Sequence, residues 1–319
     1  MRLRANDFET QSPLFEYSYR SSRVYPLIVK SPSITSPDDK ASDMMSQPVL
    51  KAISLSTCLA LCLLMTMGCH NAAKHQSVHL PARHSVSAEQ LIVLSDFKLG
   101  QDHELFQDLI KLREDVAETL NIPLNSEQVT VYLFTNEEQY RNYLDTTYPG
   151  LPPRRAYFVG TPKELAVYTF WGERIQEDLR HEFTHGLLHA SLKTVPLWLD
   201  EGLAEYFEVA GSTPGQINRE HASRLSTALT NGWKPDMKRL EQLEKVSQMQ
   251  RVDYQEAWAW VHFMLNGTPE TKDSLLEYLA ELKTDDEPEV LSARLPRDIP
   301  GVDQRFVSYV ASLNTFPSR

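Results

Sequence analysis

The sequence predicts an α+β protein, and two features carry that reading. Up to Phe170, short apolar runs of strand type alternate with stretches of helical spacing, whereas from Glu173 onward the pattern is almost wholly helical. Leu91-Ile92-Val93-Leu94 reads as a buried strand, and Leu105, Leu109, Leu112, Val116 and Leu120 then recur at helical spacing. Val129 to Phe134 gives a second strand, followed by a short helix around Glu137 to Leu144. Ala156 to Val159 and Leu165 to Phe170 read as two further strands, turned by Gly160-Thr161-Pro162. The strand-and-helix part is expected to span residues 88–212 and a helical lobe residues 213–319, with no internal repeat.

At 319 residues, 41% of them apolar and 24% charged, the chain can bury one large core or two packed smaller ones. Lys and Arg total 32 against 43 Asp and Glu, a formal charge of -11, and no basic stripe appears. A phosphate backbone would be repelled on average, so nucleic acid is not expected as a partner. All three cysteines, Cys58, Cys62 and Cys69, fall in one apolar stretch. The globular part therefore has neither a disulfide nor a thiolate ligand, and any metal there must be held by His, Asp or Glu.

Ala52 to Gly68 runs seventeen residues without a charge after Lys51, the build of a secretory signal. Gly68-Cys69 resembles the end of a bacterial lipobox, with Cys69 as the lipidated residue, although Thr66 and Met67 depart from the usual Leu and small residue. A membrane lipoprotein outside the cytoplasm is the leading expectation, with an uncleaved anchor or plain secretion as alternatives. Residues 1–43 are polar and rich in Ser and Pro, and Met44 or Met45 marks a plausible true start of a signal segment at 44–69. A disordered tail ahead of an anchor is the other reading of those residues. Residues 70–87 read as a flexible linker containing His70, His75, His79 and His84, without the fixed spacing of a metal site.

The chemistry concentrates at His181-Glu182-Phe183-Thr184-His185, an HExxH pattern inside a helical stretch. Residues i and i+4 share a helix face, so both imidazoles can reach one zinc ion at about 2.0–2.1 Å. Glu182 lies beside that face, placed to take a proton from a water the metal activates. A catalytic zinc needs a third protein ligand and an open position. Downstream, Pro196-Leu197-Trp198-Leu199-Asp200-Glu201-Gly202-Leu203-Ala204-Glu205-Tyr206-Phe207 forms an acidic helix that can supply it. Spacing alone permits either Glu201 or Glu205, one turn apart.

The two motifs together resemble the gluzincin metallopeptidases, the superfamily of thermolysin and the aminopeptidase N family. They also resemble a group of bacterial envelope proteins with HExxH followed by WLxEGLAEY. The resemblance is close over residues 173–210 and looser from about 88 to 265. It implies a zincin-like two-lobed fold and one zinc per chain, with His181, His185 and Glu201 as ligands, Glu201 matching the Glu before Gly. It implies Glu182 as general base and a peptide or protein substrate. Glu205 is then expected to accept a hydrogen bond from a ligating histidine, a role open to Asp200 as well. The Gly-x-Met-Glu-Asn stretch of the aminopeptidases is missing, so an endopeptidase is expected. A zinc hydrolase of another amide or ester, or an inactive envelope binding protein on the same fold, are the alternatives.

Three further residues and one strand need assignment. His189 is two turns from His181, too far for the same ion, and is expected to pack. Tyr254, fifty-three residues after Glu201, opens a Trp-rich helix in a setting similar to the oxyanion-stabilising Tyr of the aminopeptidase N family. A packing anchor is the other reading of Tyr254. His262, on the same helix, is expected as a core histidine, with catalysis as the alternative. In gluzincins the edge strand beside the zinc helix pairs with the substrate backbone, and Leu165 to Phe170 is consistent with such a strand, an ordinary sheet strand being the equal alternative.

Overall fold

The computed structural model describes residues 78–123 and 127–315. Cys69, the apolar stretch 52–68 and residues 1–43 lie outside the described residues. Within them the chain is a mixed α+β protein built on one five-stranded sheet. The strands are β1 (His84–Ala88), β2 (Leu91–Ser95), β3 (Val129–Phe134), β4 (Ala156–Gly160) and β5 (Leu165–Phe170), in the spatial order β1-β2-β3-β5-β4. β2, β3 and β5 run parallel, and the two edge strands β1 and β4 are antiparallel to their neighbours.

Two expectations change here. The segment read as linker ends in a strand: β1 pairs with β2, and Val86 stands opposite Val93. His-Ser-Val-Ser-Ala has a single large apolar residue, so its alternation was too weak to read, and the partner strand supplies what the pattern lacks. His79, also from that segment, meets Asp96 at 3.2 Å. The second change concerns the sheet edge. β5, the strand expected there, lies between β3 and β4, and the edge beside the HExxH helix is β4. Leu165 to Phe170 is buried at five of six positions, as befits an interior strand.

The period of two along the strands divides the core. Val93, Val131, Leu133 and Val167 face helices α1 (Glu104–Leu120) and α3 (Ile175–Ser191). Tyr132, Phe134, Ala166 and Tyr168 face the opposite way, with Tyr140 and Leu144 of α2 (Glu137–Thr147). α3 lies close on the sheet because Gly186 has no side chain: a Cβ there would stand 2.7 Å from a Val129 methyl.

After α3 the described chain is helical: α4 (Leu197–Glu208), α5 (Arg219–Thr230), the single turn α6 (Met237–Leu240), α7 (Arg251–Asn266), α8 (Pro269–Glu281), α9 (Leu291–Asp298) and α10 (Val302–Ser312). α7 is the hub, buried at every position from Gln255 to Leu265 and flanked by α4, α5, α8 and α10. Contact between α4 and α7 is closest at Gly202, where a Cβ would meet the Ala257 carbonyl oxygen at 2.7 Å. That contact holds α4 between α7 and α3, so its acidic residues face the histidines.

Candidate metal centre

α3 turns Leu179, Phe183 and Leu187 into the core. His181 and His185, four residues apart, share another face directed at α4. Their rings lie 5.0 Å apart at 77°. Across from them Glu201 Oε2 stands 3.6 Å from His181 Nε2 and 3.9 Å from His185 Nε2. These three residues offer ligand atoms within 4.8 Å of one another. Tetrahedral ligands at zinc bond lengths sit about 3.3–3.5 Å apart, so a small contraction of the triad suits the ion.

The outer nitrogens strengthen this fit. His185 Nδ1 is 2.8 Å from Asp200 Oδ1, and His181 Nδ1 is 3.2 Å from Glu208 Oε2. A carboxylate against each Nδ1 holds the ring proton there and turns the Nε2 lone pair toward Glu201. Asp200, fully buried, also meets His189 Nε2 at 3.0 Å. Burial opposes its charge, yet His185 and His189 hold its carboxyl far below the usual range. Burial likewise works against a charge on His181, but the carboxylates of Glu201 and Glu208 raise its pKa well above the ordinary value. The pocket is thus built to hold positive charge between these residues.

Glu182 reaches the sheet edge. Its Oε2 accepts a 2.7 Å hydrogen bond from the Phe158 amide of β4, which fixes the carboxylate beside the histidines. The Phe158 ring stacks on His189 at 5.3 Å and on His185 at 6.2 Å.

Glu205 departs from its expected role. It reaches His221 Nε2 of α5 at 2.7 Å, and Glu208, one turn further on, is the acceptor for His181. Burial opposes ionisation of both, but His221 holds Glu205 low, while burial and the charge of Glu205 push Glu208 up. His181, Glu205 and Glu208 also approach within 4.8 Å, but His181 meets that pair through the nitrogen it turns away from Glu201. The sequence reading missed Glu208, His221, Arg154 and the Phe158 amide. Only Glu208 had a sequence signal, lying two helical turns beyond Glu201 on the same face.

His262 stays in the core. It is 4% exposed, with Nδ1 2.8 Å from the Tyr309 hydroxyl and Nε2 3.2 Å from the Gly215 carbonyl. Tyr254 lines the cavity that also holds His181, Glu201 and Glu205, an open space of about 1100 Å³. Burial and the nearby Glu201 raise the pKa of its hydroxyl, opposed by the charge of Arg154. The hydroxyl therefore stays protonated and able to donate at neutral pH.

Residues 177–288 match a family described as "Protein of unknown function (DUF1570)". That span takes in both histidines, the whole of α4, His221 and Tyr254. No curated protein matches the chain.

Proposed function

We propose that this protein is a zinc-dependent hydrolase of the gluzincin type, with a zincin-like two-lobed fold, cleaving peptide bonds within a chain. One observation carries the reading: two histidine Nε2 atoms converge on Glu201, while each opposite Nδ1 is held by a buried or half-buried carboxylate. A bound zinc supplies Lewis-acid activation of a water and of the scissile carbonyl. His181, His185 and Glu201 hold it, and Asp200 and Glu208 keep the two rings oriented. Glu182, anchored through Oε2 to the Phe158 amide, keeps Oε1 to accept the water's proton and hand it to the departing amine. Tyr254 donates to the oxygen that gains charge as water adds to the carbonyl. An extended peptide fits beside β4, the edge strand packed against the HExxH helix.

The purified protein is expected to carry about one zinc per chain. Glu182→Gln is expected to keep that zinc and lose at least about 10²-fold in turnover. Tyr254→Phe is expected to keep it and lose about 10²–10³ in kcat. Zinc-free protein after chelator-free purification would overturn the proposal, and a fully active Tyr254→Phe would return that residue to packing. The proposed envelope location rests on residues 52–69, and Cys69→Ala should shift the protein out of the detergent phase if Cys69 carries the lipid.

A further inference from the structure

The cavity above His181 is lined by five arginines and five glutamates, so its positive charge is largely matched within the protein. Some of it is spent within the protein: Arg174 pairs with Glu177, and Arg224 with Glu220 at 2.8 Å. Among the described residues, Arg154 and Arg251 have no ion pair, and both are exposed. Arg154 stands on the loop leading into β4, and Arg251 opens α7 one turn before Tyr254, so two separate parts of the chain bring them to one cavity. Arg154 shares the cavity lining with Tyr254, Glu201 and His181 and interacts electrostatically with Tyr254 and Glu201.

The Arg154 backbone is held firmly. Tyr140 donates a 3.0 Å hydrogen bond to its carbonyl, and Thr169 one of 3.2 Å to that of Arg155. Arg155 in turn grips Asp178 of α3 with two nitrogens. A fixed backbone carrying an arginine with no carboxylate of its own, aimed into a cavity, is an arrangement for binding a carboxylate from outside.

We propose that Arg154, with Arg251, binds a carboxylate of the substrate next to the bond to be cleaved, so that the site takes acidic peptides. The inference rests on the hydrolase reading above. The carboxylate belongs to an Asp or Glu side chain or to the end of the peptide chain, and both present the same fork to a guanidinium. Since the protein as a whole repels anions, the arginines at this mouth also decide where an acidic peptide can approach.

The test uses the full-length, zinc-loaded Glu182→Gln protein, which binds without turnover. Fluorescent pools of randomised octapeptides carry either Glu or Gln at their two central positions, each with a free or an amidated C-terminus, and anisotropy measures affinity. The Glu pools should bind about tenfold or more tightly than the Gln pools, the scale of a charge-assisted pair. A preference that follows the free C-terminus instead identifies the chain end as the source of the carboxylate. Arg154→Gln should bring the preferred-to-other ratio close to one, and Arg154→Lys should restore part of it. Equal binding of all four pools, absence of binding, or a ratio that survives Arg154→Gln combined with Arg251→Gln overturns the proposal. In the active protein, an Arg154→Gln variant that loses kcat equally on Glu and Gln peptides also overturns it, because the guanidinium would then act on the reacting atoms. Zinc content and wild-type turnover of the Gln pools report on the hydrolase reading separately.

Discussion

At the scale of single residues, the centre depends on which carboxylate stands behind which histidine. Asp200 is 1% exposed and serves two imidazoles, His185 and His189. Asp200→Asn keeps the shape but loses the charge and offers an amide where a ring proton needs an acceptor. Zinc affinity is expected to fall about 10–100-fold, the usual effect of removing the partner of a metal-bound histidine. Glu205→Gln should change it far less, since Glu205 faces His221 rather than a member of the triad. A chelator competition on the two variants decides this, and the reverse order would mean that Glu205, not Asp200, governs the metal. The same residue-scale logic explains why Glu208 escaped the sequence reading. The Glu201, Glu205 and Glu208 face was legible from spacing, but the choice between the last two depends on where α5 places His221.

At the scale of elements, the site is a product of how closely helices approach. Gly202 follows Glu201, and its missing side chain lets α4 rest on the Ala257 carbonyl of α7. Gly202→Ala gains helix propensity, worth about 1 kcal/mol. It must also place a methyl 2.7 Å from a backbone oxygen that cannot rotate aside. Overpacking of this kind costs about 1–3 kcal/mol, so the net expectation is lower stability by up to about 2 kcal/mol. α4 should shift toward α3 or away from α7, so zinc affinity should drop with it. Denaturant midpoints and metal titration check both effects, and a variant as stable and as metal-avid as the parent would show that the α4–α7 contact does not set the triad. The edge strand belongs to this scale too. β5 reads as a strand from its composition, but which strand lies at the border of the sheet is a matter of spatial order, and the chain returns through β4 before β5.

For the whole molecule, His262 links three distant parts of the chain: α7, the loop at Gly215 and α10 through Tyr309. Burial lowers its pKa to about 4, with the Gly215 hydrogen bond opposing. In the unfolded chain it titrates near 6.5. Between those values the unfolded state takes up a proton that the folded state refuses, so stability falls as pH drops from about 6.5 to about 4. The loss amounts to about 3 kcal/mol once complete. Urea midpoints at pH 7 and pH 4.5 should therefore fall further apart for the parent than for His262→Gln, which has no such proton to refuse. Equal slopes would remove His262 from the acid sensitivity of the fold.

The α+β class, the chain order of β2 to β5 and the long helices were legible in the sequence, because they follow from periodicities local to each segment, whereas β1 was not. His181, Glu182 and His185 were legible too, since helical spacing puts the two histidines on one face, whereas spacing leaves Glu201 and Glu205 equal and only the resemblance to gluzincins favours Glu201. Only the tertiary structure decided the rest. The partner of Glu182 is a backbone amide of β4, which no side-chain pattern can announce. The pairing of Glu208 with His181 and of Glu205 with His221 depends on the angle between α4 and α5. Arg154 lies far along the chain from Tyr254, and the two line one cavity only because the loop into β4 and the start of α7 border it together. Local spacing fixes which groups share a face, whereas packing at Gly186 and Gly202 fixes which faces meet.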